Sequence, residues 1–375
     1  MAGAAAMSDE RFSEAADVLR AGVEAHAFPA ACVEVGRHDG AIWNASFGGL
    51  TFDPLAPFAT AGTILDLASL TKVLATATLA MRALDTGRLA LSDPLSRWFR
   101  DWSGRDRQDV TIRELLTHSS GLSAYLPFYR DHTGRPEFER AICTLPLEYA
   151  PGTRSVYSDL GFILLGFILE DTYAGDATPA RKRTPGAFDP AASLHEQFRR
   201  IAPYLTSEPL QFMPLRAWRP LCAPTERDPW RGRLLTGEVH DGNCWALGGA
   251  AGHAGLFGTS GAVGAAARAT LRTLRGEPIL ADPRTMRAFA ARSGVPGSSR
   301  ALAWDTMLPT SSCGTRMSAS AIGHTGFTGT SLWIDWERDL YVVLLTNRVH
   351  PTLDNNAIRA IRRQVHDAVV AGTET

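Results

Sequence analysis

The two ends of this chain carry the same elements in mirror order, and this limits the fold more than any other feature. From about Ser8 to Ala27, Phe12, Ala16, Leu19 and Val23 recur at helical spacing, with Ser8 in the N-cap position. Cys32-Val-Glu-Val-Gly36, the turn Arg37-His-Asp-Gly40 and Ala41 to Phe47 then read as a β-hairpin. At the far end, Thr330 to Asp335, the charged turn Trp336-Glu-Arg-Asp339 and Leu340 to Thr346 form a second hairpin, and a helix follows from about Asn355 to Ala371. Helix and hairpin at one end, hairpin and helix at the other, imply that the termini meet in one antiparallel sheet covered by helices, an α/β (α+β) fold.

The middle of the chain has a different character. Ser69 to Thr86, Thr111 to Thr117 and Leu160 to Tyr173 are helical in pattern and separated by Pro- and Gly-rich loops. Ala174 to Pro190 reads as a mobile surface loop, and residues 200–247, rich in Pro, Trp and Arg, carry no clear periodicity. The expected organisation is one unit of two lobes: residues 1–65 and 248–375 form an α/β lobe, and 66–247 a mainly helical lobe with loops.

Charge and cysteine usage exclude several functions. A formal net charge of -1 lacks the basic excess of a general nucleic-acid binder. The apolar run Leu160 to Leu169 is too short to span a bilayer. Met1 to Met7 followed by Ser-Asp-Glu-Arg has neither the charged region nor the apolar region of a secretory signal, so a cytoplasmic chain without membrane or nucleic-acid partners is expected. Cys32, Cys143, Cys222, Cys244 and Cys313 are odd in number and lack metal spacing, as buried or free thiols in a reducing compartment would be.

Lysine usage locates the chemistry. Of 38 basic residues, Lys72 and Lys182 are the only lysines. Lys182 sits in Ala-Arg-Lys-Arg, a solvated cluster. Lys72 sits in an apolar segment, where a side chain able to lose its proton has a use that arginine cannot fill. In Ser69-Leu-Thr-Lys72 the spacing of three puts serine and lysine on one helical face, with Ser69 where helix N–H groups converge. Burial would lower the lysine pKa and let it act as a base on the hydroxyl. The plain alternative is an N-cap serine above an unrelated lysine.

Two further elements join it. Tyr157-Ser158-Asp159 precedes the helix Leu160 to Tyr173, which lets the phenol project from a loop; here the alternative is a helix cap at Asp159 with Tyr157 packed nearby. Gly323-His324-Thr325-Gly326-Phe327 stands immediately before an expected strand, where glycines permit close approach and an unpaired N–H can hold an oxyanion.

In order and separation, these motifs resemble those of the serine β-lactamase and penicillin-binding-protein superfamily, in its class C type with D-alanyl-D-alanine carboxypeptidase and esterase relatives. Ile112 to Leu122, Asp93-Pro94-Leu95, Gly248 to Ser260 and Gly323 to Pro351 extend the resemblance over most of residues 30–370. It implies a β-lactamase/transpeptidase-like fold and a serine hydrolase acting on a small ester, amide or peptide through a Ser69 acyl-enzyme, without a cofactor. It also implies that Lys72 and Tyr157 share the proton traffic, either being the acylation base, and that the N–H groups of Ser69 and Phe327 form the oxyanion hole. Asp159, His324, Thr325 and Gly326 would contact substrate. Asp159 stands where the class C pattern has Asn, which disfavours acylamino side chains or holds Lys72 charged at rest, and His324 replaces the lysine of β-lactamases; both departures disfavour efficient β-lactam hydrolysis. A β-lactamase and a penicillin-binding or sensor protein without turnover are the alternatives.

His240, Asp241 and His253 precede the glycine-rich stretch. They have the side chains of a zinc site, but the serine chemistry needs no metal and their spacing fits no site pattern, so they are read as lining the cleft rim. His118 is read as a structural brace at a helix C-terminus, as a cation or through a hydrogen bond.

Overall fold

A computed structural model describes residues 10–173 and 192–374. Ser8 and the segment Ala174 to Pro190, with Lys182, lie outside the described residues. From the N-terminus, α1 (Ser13–Glu24) leads into β1 (Ala30–Arg37), β2 (Gly40–Gly48) and the short β3 (Leu65–Asp66). A five-residue π-turn, Lys72–Thr76, opens α2 (Ala77–Asp85), followed by α3 (Ile112–Leu116), α4 (Gly134–Thr144) and α5 (Asp159–Tyr173). Residues 200–247, unassigned from sequence, hold α7 (Ala202–Leu205) after α6 (Leu194–Arg199), then β4 (Leu210–Phe212), β5 (Arg227–Asp228), β6 (Arg233–Leu234) and α8 (Gly242–Ala246). The chain closes with β7 (Leu256–Gly258), α9 (Ser260–Leu274), α10 (Pro283–Ala290), β8 (Asp305–Thr306), β9 (Ile322–Thr325), β10 (Ser331–Asp335), β11 (Leu340–Thr346) and α11 (Ile358–Thr373).

The termini meet as their mirrored pattern requires. The main sheet runs β2-β1-β11-β10-β9-β8, and β1 pairs antiparallel with β11, Val33 opposite Leu344. Alternation sorts its side chains between two cores. Ala31, Val33, Val35, Val342 and Leu344 pack with Phe12 and Leu19 of the N-terminal helical segment and with Val365 and Val369 of α11. Cys32, Val343, Leu345, Leu332 and Ile334 face the other way, into a core shared with α9 and with α2 and α5. Covered on both faces, β11 is buried along its whole length, which explains its unbroken apolar run.

The same logic explains α5. Every residue from Leu160 to Leu169 is buried, so the helix is apolar all round because it is enclosed by protein. Among the described residues no helix is long and apolar enough to cross a membrane. All five cysteines are buried and free.

Candidate active site

The Ser69 turn is shaped by its predecessor Asp66. Buried Asp66 accepts the Ala68 N–H at 2.8 Å and the His240 N–H at 2.7 Å, and Ala68 is held at φ +47°. The next amides make tight bonds three residues back: Leu70 to Leu67, Thr71 to Ala68, Lys72 to Ser69. The wide π-turn then begins at Lys72, a local irregularity often found at functional positions. Ser69 is half-buried at this corner and opens onto a cavity of about 820 Å³.

Lys72 is fully buried beneath it. Its Nζ donates to Ser69 Oγ at 3.0 Å, Asp159 Oδ1 at 2.7 Å and the His253 carbonyl at 3.0 Å. An ammonium has three donors, and here each has an acceptor. Burial, the strongest influence on Lys72, disfavours its charge. The charge and hydrogen bond of Asp159, with Tyr157 beside it, more than offset that, and hold the pKa above that of an ordinary lysine. Burial alone would lower this pKa; the outcome matches the other reading of position 159, in which its carboxylate holds Lys72 charged.

Asp159 is free for this because it does not cap its helix. Ser158 Oγ accepts the Gly161 N–H at 3.2 Å instead, so the cap lies one residue earlier than the sequence alternative had it. Tyr157 is fixed from behind by His118, whose Nδ1 accepts the Ser158 N–H at 3.0 Å and whose ring lies 4.7 Å from that of Tyr157. Burial keeps His118 well below the usual histidine pKa, so it acts as a neutral hydrogen-bond brace and not as a helix-end cation. Lys72 Nζ lies 4.9 Å from the Tyr157 ring centroid. Burial raises the phenol pKa, against the opposing pull of Lys72.

The third motif leads into β10 as expected, and its first residues, Gly323 to Thr325, themselves lie on β9. The short β8 pairs with only Ile322 and Gly323, so among the described residues no strand lies beside the outer edge of His324 and Thr325. His324 is buried and neutral, its Nδ1 donating to the Thr325 carbonyl at 2.8 Å. Past the strand, Gly326 comes so close to the Ser69 turn that a Cβ on it would stand 2.7 Å from the Leu67 carbonyl oxygen. Thr328 and Thr330 tie the loop there by donating to the carbonyls of Asp66 and Leu67 at 2.8 and 3.0 Å. The amides of Ser69 and Phe327 donate to no acceptor among the described residues, and both residues line the cavity.

The histidines near residue 240 have other partners. His240 Nε2 meets Glu226 at 3.0 Å, and its ring stacks on Phe327 at 5.7 Å. His253 Nε2 donates to Asp241 at 2.8 Å. Burial works to raise the Asp241 pKa, but His253 and the Cys244 N–H bring it down to about 2. All three residues line the cavity. Among the described residues no three His, Cys, Asp or Glu side chains converge as they would to hold a metal ion.

Sequence reasoning missed Asp66 and Arg300. The Arg300 guanidinium lies 5.1 Å from the Tyr157 ring centroid and lines the cavity. It stands in a polar Gly/Ser stretch with no motif around it, so only the folded chain reveals its place.

Against known proteins, a family model described as Beta-lactamase matches residues 15–366. A Salmonella typhimurium protein provisionally named D-alanyl-D-alanine carboxypeptidase is 28% identical over 323 residues, covering 79% of this chain and 72% of the relative. The structure of EstCE1, a hydrolase with promiscuous acyltransferase activity, superposes with a TM-score of 0.74 at 20% identity, covering 97% of this chain and all (100%) of that one. A class C beta lactamase gives 0.73 at 17% identity, covering 97% and 99% of the two chains. Simvastatin synthase from Aspergillus terreus gives 0.72 at 18%, covering 98% and 97%. At these identities the structural likenesses show the fold.

Proposed function

The chain belongs to the Beta-lactamase family of serine hydrolases, and from that premise we propose that it cleaves an ester or amide through an acyl-enzyme on Ser69. The observation that carries this reading is the buried lysine with its three donors divided among the Ser69 hydroxyl, a carboxylate and a carbonyl. A structural lysine would have no need of a cavity-facing serine.

Because Lys72 is a satisfied ammonium, it has no lone pair with which to take a proton. We therefore assign that task to Tyr157. As Ser69 Oγ attacks the substrate carbonyl carbon, its proton passes to the Tyr157 oxygen while the phenol's own proton moves on to the leaving group, and the adjacent Lys72 charge stabilises the negative character that grows on that oxygen during the transfer. The amides of Ser69 and Phe327 receive the oxyanion. The C–O or C–N bond breaks as the alcohol or amine departs with that proton, Tyr157 is again a phenol, and the acyl group stays on Ser69. Water then attacks the acyl carbon, its proton passing to Tyr157 while the phenol's proton returns to Ser69 Oγ as the acid leaves.

Asp159 and neutral His324 set the preference within this chemistry. An acceptor-only carboxylate cannot donate to a substrate amide carbonyl, and a neutral imidazole supplies no fixed positive charge. Esters and small amides suit the site better than β-lactams. Steady-state hydrolysis of p-nitrophenyl acetate and of a penicillin tests this reading. Wild type is expected to turn over the ester faster, Ser69→Ala to lose activity, and Tyr157→Phe to lose about 10²-fold or more in kcat. Full ester turnover in Ser69→Ala would refute the reading.

A further inference from the structure

One wall of the Ser69 cavity leaves large aromatic side chains open. Tyr125 and Trp230 line the cavity and are 43% and 44% exposed. Tyr129 stands beside them, its ring edge-on to Trp230 with centroids 4.8 Å apart, and Trp230 is edge-on to Trp245 at 5.3 Å. Contiguous exposed aromatic surface inside a concave site marks a place for a ligand.

The wall is also built to keep its shape. Tyr129 lies so close to the start of α8 that a Cβ on Gly242 would be 2.6 to 2.9 Å from its ring. Buried Asn243 locks the two segments together, accepting the Tyr129 N–H at 3.0 Å and donating to the Leu126 carbonyl at 2.8 Å. Asp241 caps α8 through the Cys244 N–H. Trp230 is anchored by its neighbour Arg231, which holds Asp228 and donates to the carbonyls of Val239 and His240 at 2.8 and 2.6 Å. Rings fixed before binding lose little freedom when a ligand arrives.

Its chemistry favours one kind of group. Guanidinium groups of Arg130 and Arg231 already lie over Tyr129 and Trp245, at 5.9 and 5.8 Å, so each of these two rings has a cation of the protein on it. What remains open is flat and apolar. Burial and the charge of Asp241 raise the Tyr125 phenol pKa, so its hydroxyl stays a neutral donor at the edge of the wall.

We propose that this wall is a subsite for an aryl group, so that the preferred substrate is an ester that carries one. The proposal rests on the serine hydrolase reading only for the position of the bond to be cleaved. Binding is therefore read without turnover, by ligand-observed NMR titration of Ser69→Ala with ethyl phenylacetate and with ethyl acetate. Ethyl phenylacetate is expected to bind about tenfold tighter or better. Adding Trp230→Ala or Tyr125→Leu is expected to reduce that ratio to about threefold or less, and Trp230→Phe to restore part of it. Equal binding of the two esters, or an unchanged ratio in both truncated variants, overturns the subsite whether or not Ser69 proves to be the nucleophile. Loss of Ser69-dependent turnover with the binding ratio intact would instead overturn only the hydrolase reading.

Discussion

Asp159 Oδ1 lies 2.7 Å from Lys72 Nζ, and this bond fixes the charge of a lysine with no exposed surface. The carboxylate is what turns a buried amine, expected to be a base, into a permanent ammonium. It follows that Asp159→Asn changes both charge state and specificity. Without the negative partner the Lys72 pKa falls, and the new side-chain amide can donate to a substrate carbonyl. The ratio of amide to ester kcat/KM is expected to rise about tenfold, and the alkaline limb of the pH–rate profile to move to lower pH. A ratio and profile matching wild type would show that Asp159 does not govern Lys72.

Removing the carboxylate without replacement has a stability consequence. Asp159→Ala leaves a buried ammonium unpaired, and breaking such a pair costs about 3 kcal/mol. Urea unfolding of the two proteins at pH 7 measures this loss. A difference below about 0.5 kcal/mol would mean that water or another group takes over.

Gly326 sets the approach of the Phe327 amide to the Ser69 turn. In Gly326→Ala the added Cβ meets the Leu67 carbonyl oxygen at 2.7 Å, so the loop must retreat. Displacing one oxyanion donor costs about 10²-fold in kcat. KM is expected to change far less, and steady-state kinetics on a simple ester separate the two. A KM effect with kcat preserved would assign the loop to binding alone.

Stability should fall in mild acid because buried histidines stay neutral. Burial, with Arg362 beside it, takes the His366 pKa from 6.5 to about 4, only partly countered by its bond to the Arg362 carbonyl and by Asp367. The unfolded chain takes up a proton below pH 6.5 while the folded one does not, so stability is full above that pH and declines toward pH 4. Between pH 6.5 and 5 this residue alone accounts for about 2 kcal/mol. Urea midpoints at pH 7 and 5 are expected to differ less in His366→Gln than in wild type. Equal differences would show that His366 is not a source of the acid sensitivity.

Chelation is expected to leave the activity intact. His240 is bonded to Glu226 and His253 to Asp241, so neither needs a metal to complete its contacts. Dialysis against EDTA followed by an ester assay checks this; loss of activity restored by zinc would return attention to these histidines.

The sheet was legible in the sequence because its signals are local: period-two alternation in β1 and β11 and the turns beside them need no long-range information. The convergence of Ser69, Lys72 and Tyr157 was legible because helical spacing, a scarce lysine and an ordered set of motifs all point to them. The sign of the Lys72 pKa was legible only as one of two readings, since it depends on whether a carboxylate from the start of α5 meets the side chain in space. Arg300 and the wall formed by Tyr125, Tyr129 and Trp230 were hidden for the same reason. Their segments have no periodicity, and their meaning comes from which other loops they touch. The cap at Ser158 was missed because Ser and Asp are both good N-caps, and only the geometry decides between them.

The central claim is that Ser69 forms a covalent acyl intermediate. Intact-protein mass spectrometry after brief exposure to p-nitrophenyl acetate, and separately to a penicillin, tests it most directly. An adduct of the acyl mass on wild type, mapped to Ser69 and absent from Ser69→Ala, is the predicted result. An unlabelled wild type, together with hydrolysis that persists in Ser69→Ala, would contradict the account.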